Sequence, residues 1–348
     1  YAQFNILEGL NYKYNAGYTR TYGRNFTYQY PYEVGTLFIN RMANLSESRN
    51  EKSTVLQEHT LTYDKDFNKH SIQAMVGYTY QNTDYRVLSG SKSGMPRGIE
   101  VIDAGTTNTV AGSNAWENTL ISYFGRAIYT YDDRYTLTAI LRRDGSSRFG
   151  NAYKYGNFPS LAAAWNISNE SFFSPLNSTF TSLRLRAGYG ELGNQEIADY
   201  QFLANINPNI NYVIGADQHL MPGATQTAFA TPDIRWENSI TYNAGLDIGL
   251  FNNSLSIIAD YFVKDSKDIL LQVPIPLSTG ASAQSPYLNA GTIRNRGFEA
   301  DIAYNKQQDD FHYGINATFS TVSNEVLELG TGSQQIFGGR PTHHGANA

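Results

Sequence analysis

The chain lacks cysteine altogether, and none of its 348 residues belong to an apolar stretch long enough for a membrane-spanning helix. The first absence excludes disulfide frameworks and thiolate metal sites. The second excludes a helical membrane protein, because a spanning helix needs roughly 20 consecutive apolar residues. Basic residues are not in excess either, with 26 Lys and Arg against 31 Asp and Glu and a net charge of −5. We therefore expect no nucleic-acid binding, which relies on a basic surface.

Catalytic and metal-binding motifs are also missing. Of the six histidines, only His343 and His344 are neighbours, and no carboxylate or further histidine stands at ligand spacing from them. The carboxylate pair Asp132-Asp133 falls in a tight turn, where turn chemistry explains it better than acid–base catalysis. No glycine-rich phosphate loop precedes a helix. The sequence therefore predicts no catalytic residue, no metal, no cofactor and no enzyme activity.

Aromatic residues are abundant, with 26 Tyr and 18 Phe, and apolar and polar residues alternate over long stretches such as 240–250, ITYNAGLDIGL. A period of two places the two rows on opposite faces of a β-strand. A β-barrel in an outer membrane needs one face for lipid and one for a polar lumen. We predict lipid contact for Tyr242, Ala244, Leu246 and Ile248, and a lumen position for Asn243, Gly245 and Asp247.

About twelve strands are expected from this pattern. They lie near 2–7, 10–22, 45–64, 69–88, 116–131, 134–145, 155–168, 182–190, 234–250, 254–271, 288–305 and 310–325. The connections alternate between short and long. Short turns fall at 8–9, 66–68, 132–133, 252–253 and 309–310, with a somewhat longer one at 169–181, and long connections fall at 23–44, 89–115, 146–154, 191–233 and 272–287.

This alternation of connections favours a membrane barrel, which keeps short turns at one end and long loops at the other. The sequence therefore predicts an all-β fold, a transmembrane antiparallel up-and-down β-barrel. The alternative is a large soluble antiparallel sandwich, which has no reason to gather its long loops at one end. Trp116, Trp165 and Trp236 all lie near predicted strand ends, and we interpret them as rings at the headgroup level of a membrane.

Several motifs are more specific than a generic barrel pattern. They are RDGSSRFG at 143–150, FPS at 158–160 with Trp165, GYG at 188–190 with GNQ at 193–195, Trp236-Glu237, and NRGFE at 295–299. In this order the motifs resemble the SusC/RagA family of TonB-dependent outer-membrane transporters of Bacteroidetes. Over the first 140 residues, the resemblance lies only in the general character of the sequence and not in specific motifs.

The resemblance implies a barrel of about 22 strands with a plugged lumen. It implies active import of a large nutrient, an oligosaccharide or a peptide, across the bacterial outer membrane. A SusD-like surface lipoprotein would close the outer mouth, and the TonB complex would supply the energy. The sequence contains no plug domain, TonB box or final strands, so we expect residues 1–348 to be an internal part of the barrel.

Site residues follow from the resemblance and from the position of the loops. Arg148, Arg294 and Arg296 are candidates for pairing with carboxylates of the plug or of loops. Candidates for contact with the substrate or the lid are Tyr153, Tyr200, Tyr212, Asn194 and Gln195. Two alternative functions stay open at this point. One is a TonB-dependent siderophore receptor, which shares the barrel, and the other is a surface glycan-binding β-protein without transport.

Overall fold

The computed structural model describes residues 1–36, 38–204, 206–207, 210–226, 229–273, 286–308 and 311–330. The strands in chain order are β1 (Ala2–Leu7), β2 (Leu10–Gln29), β3 (Tyr32–Val34), β4 (Phe38–Asn40), β5 (Asn44–Phe67), β6 (His70–Ser93), β7 (Thr107–Tyr131), β8 (Tyr135–Ser146), β9 (Tyr155–Asn166), β10 (Phe180–Asn194), β11 (Ile206–Asn207), β12 (Tyr212–Ile214), β13 (His219–Met221), β14 (Thr225–Gln226), β15 (Glu237–Leu250), β16 (Leu255–Gln272), β17 (Tyr287–Gln308) and β18 (Phe311–Leu329). Short 3-10 turns occupy Ile102–Ala104, Ile167–Asn169 and Ser171–Leu176. Within these ranges, no helix has the length and apolarity to cross a membrane.

The chain divides into two compact units. Unit one comprises Tyr1–Phe4, Tyr12–Thr60 and Gly77–Ser122, and unit two comprises Asn5–Asn11, Leu61–Val76 and Tyr123–Ala348. Unit two contains parts of sixteen strands, twelve of which form one sheet in the order β1-β2-β5-β6-β7-β8-β9-β10-β15-β16-β17-β18. From β8 onward each strand is antiparallel to its neighbours. The predicted up-and-down antiparallel arrangement is therefore confirmed.

The twelve predicted strands correspond to the twelve strands of the sheet, but some are longer than expected. Strand β2 continues to Gln29 and β7 begins at Thr107, whereas the pattern placed these boundaries at 22 and 116. Segment 23–29 contains no aliphatic residue, and segment 107–115 contains only Val110 and two alanines. The backbone is extended there, but the sequence carries no apolar period that would reveal it.

The short turns of unit two are joined to one another by backbone hydrogen bonds. They run from Asp64 N to Gly9 O (2.9 Å), Asp132 N to Lys69 O (2.7 Å), Asn166 N to Arg134 O (2.7 Å), Phe251 N to Thr179 O (3.0 Å) and Asn305 N to Ser254 O (2.7 Å). Asn68, Asp132, Asp133, Asn252 and Asn253 adopt positive φ, as hairpin turns require. These turns therefore share one end of the sheet, as predicted, while the turn at 309–310 lies outside the described residues.

In unit one, the two long connections pack over a small core of their own. Ala43, Leu45 and Met95 are buried, and Met95 N donates to Ala43 O at 3.3 Å. Strands β3 and β4 form a hairpin within the first of these connections, which the sequence pattern did not indicate. Both connections are shorter than predicted because β2, β6 and β7 extend into them.

Candidate functional site

The two faces of the sheet in unit two differ in chemistry. Direct cross-strand partners share a face, and the register aligns Leu185 with Leu246 and Leu246 with Ala259. In the other row, Arg186 aligns with Gly245 and Gly245 with Asp260. We call the first row's side the apolar face and the second row's side the polar face. The predicted separation of the two rows of β15 is therefore confirmed.

An ion cluster lies on the polar face. Arg186 donates through Nη2 to Asp247 at 2.7 Å and to Asp260 at 3.0 Å, and through Nε to both oxygens of Asp247 at 3.0 Å. Gly245 lies between these side chains, where a Cβ atom would come within 2.7 Å of Arg186 Nη2. One arginine faces two aspartates, so the cluster carries a net charge of −1. Asp260 Oδ1 is buried without a hydrogen-bond partner in the described part of the chain.

The sequence interpretation missed this cluster, although a signal was present. Arg186 and Asp247 fall in the polar rows of β10 and β15, and Asp260 falls in the polar row of β16. Opposite charges in the polar rows of consecutive strands indicate pairing once the strand register is known. The register itself cannot be read from the alternation.

The long connections of unit two pack on a buried aromatic centre, which we call the loop base. Its members Phe149, Phe158, Ile234 and Trp236 are 1%, 5%, 0% and 8% exposed. The Trp236 ring lies 5.1 Å from that of Phe149 and 5.5 Å from that of Phe158. The indole Nε1 of Trp236 donates to Lys154 O at 3.2 Å. The loop base therefore brings together three of the sequence motifs.

Burial of Trp236 shows that its interpretation as a headgroup-level ring was wrong. Its position just before β15 is at a strand end, but that end lies under the long connections. Trp116 also differs from expectation, because β7 begins at Thr107 and the indole lies well inside the strand, stacked at 5.0 Å on Tyr85. Trp165 does lie near a strand end, as the penultimate residue of β9, and donates through Nε1 to Glu170 at 3.0 Å. Its place at the headgroup level stays a prediction.

Two glycines of the motifs are required by the loop base. A Cβ atom at Gly156 or at Gly193 would collide with the ring of Phe158. Pro159 follows Phe158 and lies beyond Ser160, the last residue of β9 that pairs with β10. The missing N–H of proline is therefore tolerated on that side of the strand.

Arg148 ties the first long connection of unit two to the second. Its Nε donates to Asp199 at 3.0 Å and its Nη1 donates to the carbonyl of Gln195 at 3.2 Å. The backbone N–H of Arg148 also donates to Ser146 Oγ at 3.1 Å. Arg148 is thus held by a carboxylate of a loop.

A second set of contacts fixes the base of the connection that follows β16. Asn289 accepts from Arg235 N at 2.9 Å and donates to the carbonyls of Arg235 and Asp268, both at 2.8 Å. The Arg235 guanidinium donates to Asp268 at 2.8 Å, and this hydrogen bond raises the pKa of Arg235 above its ordinary value. The starts of β15 and β17 are therefore clamped to the end of β16.

The predicted contact residues occupy different parts of this end of unit two. Asn194 donates to Glu237 at 2.6 Å, and Gln195 accepts from Arg148, so both lie at the loop base. Tyr153 is half-buried in the connection beside them. Tyr200 and Tyr212 are 41% and 54% exposed, and Tyr212 belongs to the separate hairpin β12–β13.

Arg294 and Arg296 lie in the row of Phe298, which belongs to the apolar face because Phe298 aligns with Tyr261 and Tyr261 with Ala244. Arg294 donates through Nε and Nη2 to the two oxygens of Asp265, both at 2.7 Å. The partner of Arg294 is therefore a carboxylate of strand β16, whereas a carboxylate of the plug or of a loop was expected.

Comparison with known proteins places these features in a family. The family model described as "TonB dependent receptor-like, beta-barrel" matches residues 1–345. TonB-dependent receptor P3 of Formosa agariphila is 32% identical over 347 residues, which are 99% of this chain and 34% of that protein. TonB-dependent receptor SusC of Bacteroides thetaiotaomicron is 34% identical over 231 residues, which are 64% of this chain and 22% of that protein.

Solved structures give the same result. The structure of the RagAB peptide transporter matches with a TM-score of 0.83 and 25% identity, over 95% of this chain and 36% of the other. The ferric citrate transporter FecA matches with a TM-score of 0.56 at 12% identity, which shows a shared fold alone. This chain spans about a third of the length of the P3 receptor it matches. The chain belongs to the TonB-dependent receptor-like β-barrel family, whose members are receptors and transporters of the outer membrane.

Proposed function

We propose that the protein imports a large nutrient, an oligosaccharide or a peptide, as the barrel of a SusCD-like complex. A SusD-like lipoprotein covers its outer mouth, and TonB provides the energy. The observation that carries the proposal is the match over 95% of the chain to a peptide transporter, together with the similarity to SusC. In this proposal the plug domain, the TonB box and the final strands come from segments outside residues 1–348.

The polar face supports a lumen that encloses a second protein element. The ion cluster has a net negative charge. A basic group of a plug would neutralise this charge by pairing with the aspartates.

The loop base supports a fixed platform for the lid and the substrate. Its aromatic centre is buried, while Tyr200 and Tyr212 are exposed in the connection above it. Exposed tyrosines stack on sugars and on peptides alike, so they fit either nutrient. Asn194 and Gln195 would act from the rim of the platform, and Arg148 would hold the connection in place.

Active transport requires energy from TonB, whereas binding at the cell surface does not, so a TonB deletion distinguishes the two functions. We expect labelled oligosaccharide or peptide to accumulate in cells that carry the full-length protein, and to stop doing so when TonB is deleted. Binding at the cell surface should persist in the deletion strain. Uptake that continues without TonB would contradict the proposal, and so would binding that is never followed by uptake. Growth on an iron–siderophore complex alone would favour the siderophore receptor.

A further inference from the structure

One surface of unit one has a chemistry that transport does not use. Every second residue of β2 lies on the same face. Along that face the residue type changes from tyrosine at Tyr14 and Tyr18 to arginine at Arg20 and Arg24. Arg24 and Arg49 of β5 both contact Glu47, and Arg49 lines one depression with Arg86 of β6. We call Arg20, Arg24, Arg49 and Arg86 the arginine face.

The arginine side chains of this face are more exposed than the acidic side chains beside them. The side chains of Arg24, Arg49 and Arg86 are 57%, 72% and 76% exposed, whereas that of Glu47 is 19% exposed. Glu51 and Asp84 are the other two acidic partners, at 41% and 40%. Glu117 of β7 also belongs to this face, where it accepts a hydrogen bond from Asn82 at 3.0 Å, so four arginines stand against four carboxylates. Such exposed pairs contribute little stability, so the arginines can engage an external anion.

The depression between the strands has a volume of about 600 Å³ and is lined by Tyr22, Arg49, Glu51, Arg86 and Leu88 among others. Glu51 is already held by Arg20 at 2.5 Å. Arg49 contacts Glu47 through Nε at 2.9 Å, and Arg86 contacts Asp84 through Nε at 3.4 Å. Their terminal amino groups are thus left for a ligand, and a guanidinium fork matches phosphate geometry.

The position of the face along the strand indicates where the ligand lies. Charged side chains on a lipid-facing row are unfavourable within the hydrocarbon region and tolerated near its boundary. The change from Tyr18 to Arg20 therefore marks the boundary on β2. Strand β2 leads toward the long connection that follows Gln29, and long connections belong to the outer surface of a barrel. The exposed rings of Tyr18 and Tyr22 fit such an interface.

We propose that the arginine face binds the phosphorylated saccharide headgroup of an outer-leaflet glycolipid. Arg49 and Arg86 contact the phosphate, and Tyr22 packs against the sugar. This site rests on the outer-membrane location of the family and is separate from the nutrient path. The ligand belongs to the membrane around the barrel and is not transported.

The test uses the full-length protein purified from outer membranes in mild detergent. Wild type and the double variant Arg49→Gln/Arg86→Gln are compared for glycolipid phosphate retained per protein, and for the thermal shift on adding rough lipopolysaccharide micelles. We expect about a tenfold loss of binding in the double variant, since two charge-assisted contacts are removed. Phosphatase-treated lipopolysaccharide should bind wild type as weakly as intact lipopolysaccharide binds the variant.

Two further variants control for charge and folding. Arg97→Gln removes an exposed arginine from a connection of unit one and should leave binding unchanged. Arg49→Lys/Arg86→Lys keeps the charge but loses the fork, and should bind at an intermediate level. Equal retention by wild type and the glutamine variant would overturn the proposal, and so would equal binding of dephosphorylated lipopolysaccharide. Nutrient uptake is measured in parallel, so loss of glycolipid binding with normal uptake leaves the transport function standing.

Discussion

Gly193 lies directly against the ring of Phe158, so that a Cβ atom at position 193 would collide with the ring carbons. Phe158 is 5% exposed and packs on Trp236, so the ring has little room to move. We expect Gly193→Ala to destabilise the protein by about 1–3 kcal/mol, the range for overpacked cores. Urea unfolding in detergent, followed by tryptophan fluorescence, measures the change. Gly17→Ala is the matched control, because its nearest neighbour would be Leu56 Cβ at an ordinary 3.6 Å. Equal effects of the two substitutions would contradict the role of Gly193.

The two rows of β15 should respond differently to a new charge. Leu246 lies on the apolar face, where arginine at mid-membrane costs about 2–4 kcal/mol. We expect Leu246→Arg to cause a loss of this size in the folding free energy measured in lipid vesicles. Asn243→Arg, in the polar row, should cost far less. A larger effect at Asn243 would show that the polar face is the one in contact with lipid.

Removing Arg186 should leave Asp247 and Asp260 facing each other without a cation. We expect Arg186→Leu to destabilise the protein by about 1–3 kcal/mol, as loss of one partner does for a half-buried, hydrogen-bonded ion pair. The triple variant with Asp247→Asn and Asp260→Asn should recover most of this loss, because the repulsion is gone. Denaturant unfolding of the three proteins gives the comparison. A triple variant as unstable as the single one would mean that Arg186 acts through packing.

Glu170, in the short connection that follows β9, should make the stability of the protein depend on pH in the acidic range. It accepts hydrogen bonds from Tyr135 OH at 2.5 Å and from Trp165 Nε1 at 3.0 Å, and these bonds lower the pKa of Glu170 below its ordinary value of 4.5. A lowered pKa in the folded state means that the contribution is fully present above pH 4.5 and is lost as the pH falls through the folded value. We expect the difference in Tm between wild type and Glu170→Gln to be constant near neutral pH and to shrink below about pH 4.5. A constant difference down to pH 3 would contradict this assignment.

The orientation of the barrel can be tested by proteolysis of intact cells. A protease site placed in the hairpin Tyr212–Met221 should be cut from outside, since it belongs to a long connection. The same site placed at Asn252-Asn253 should be protected, because this turn is at the opposite end of β15. Cleavage at 252–253 alone would reverse the orientation.

The alternation of residue types predicted the number of strands and the chemistry of each face, because a period of two depends only on the chain itself. The contacts between strands depend on register, which the turns and bulges set. Arg186 could therefore be assigned to a polar row, but its two aspartate partners could not be identified. Asp265 was missed for the same reason, since its pairing with Arg294 appears only when β16 and β17 are aligned.

Strand ends were harder to predict than strand faces. Trp165 and Trp236 both lie at a strand end, yet one is at the turn end and the other is buried under the long connections. The difference comes from Phe149 and Phe158, which lie far from Trp236 in the sequence. Their motif glycines were a usable signal, because glycines beside aromatic residues indicate close packing.

The hydrogen bonds between the short turns have a consequence for biogenesis. Each bond, such as that from Asn166 N to Arg134 O, fixes the starting point of one hairpin against the hairpin before it. A slip by one residue would turn every lipid-facing side chain inward, and it would also break the bond at the turn. A hairpin that inserts in the wrong alignment therefore loses both its lipid contacts and its link to the hairpin before it.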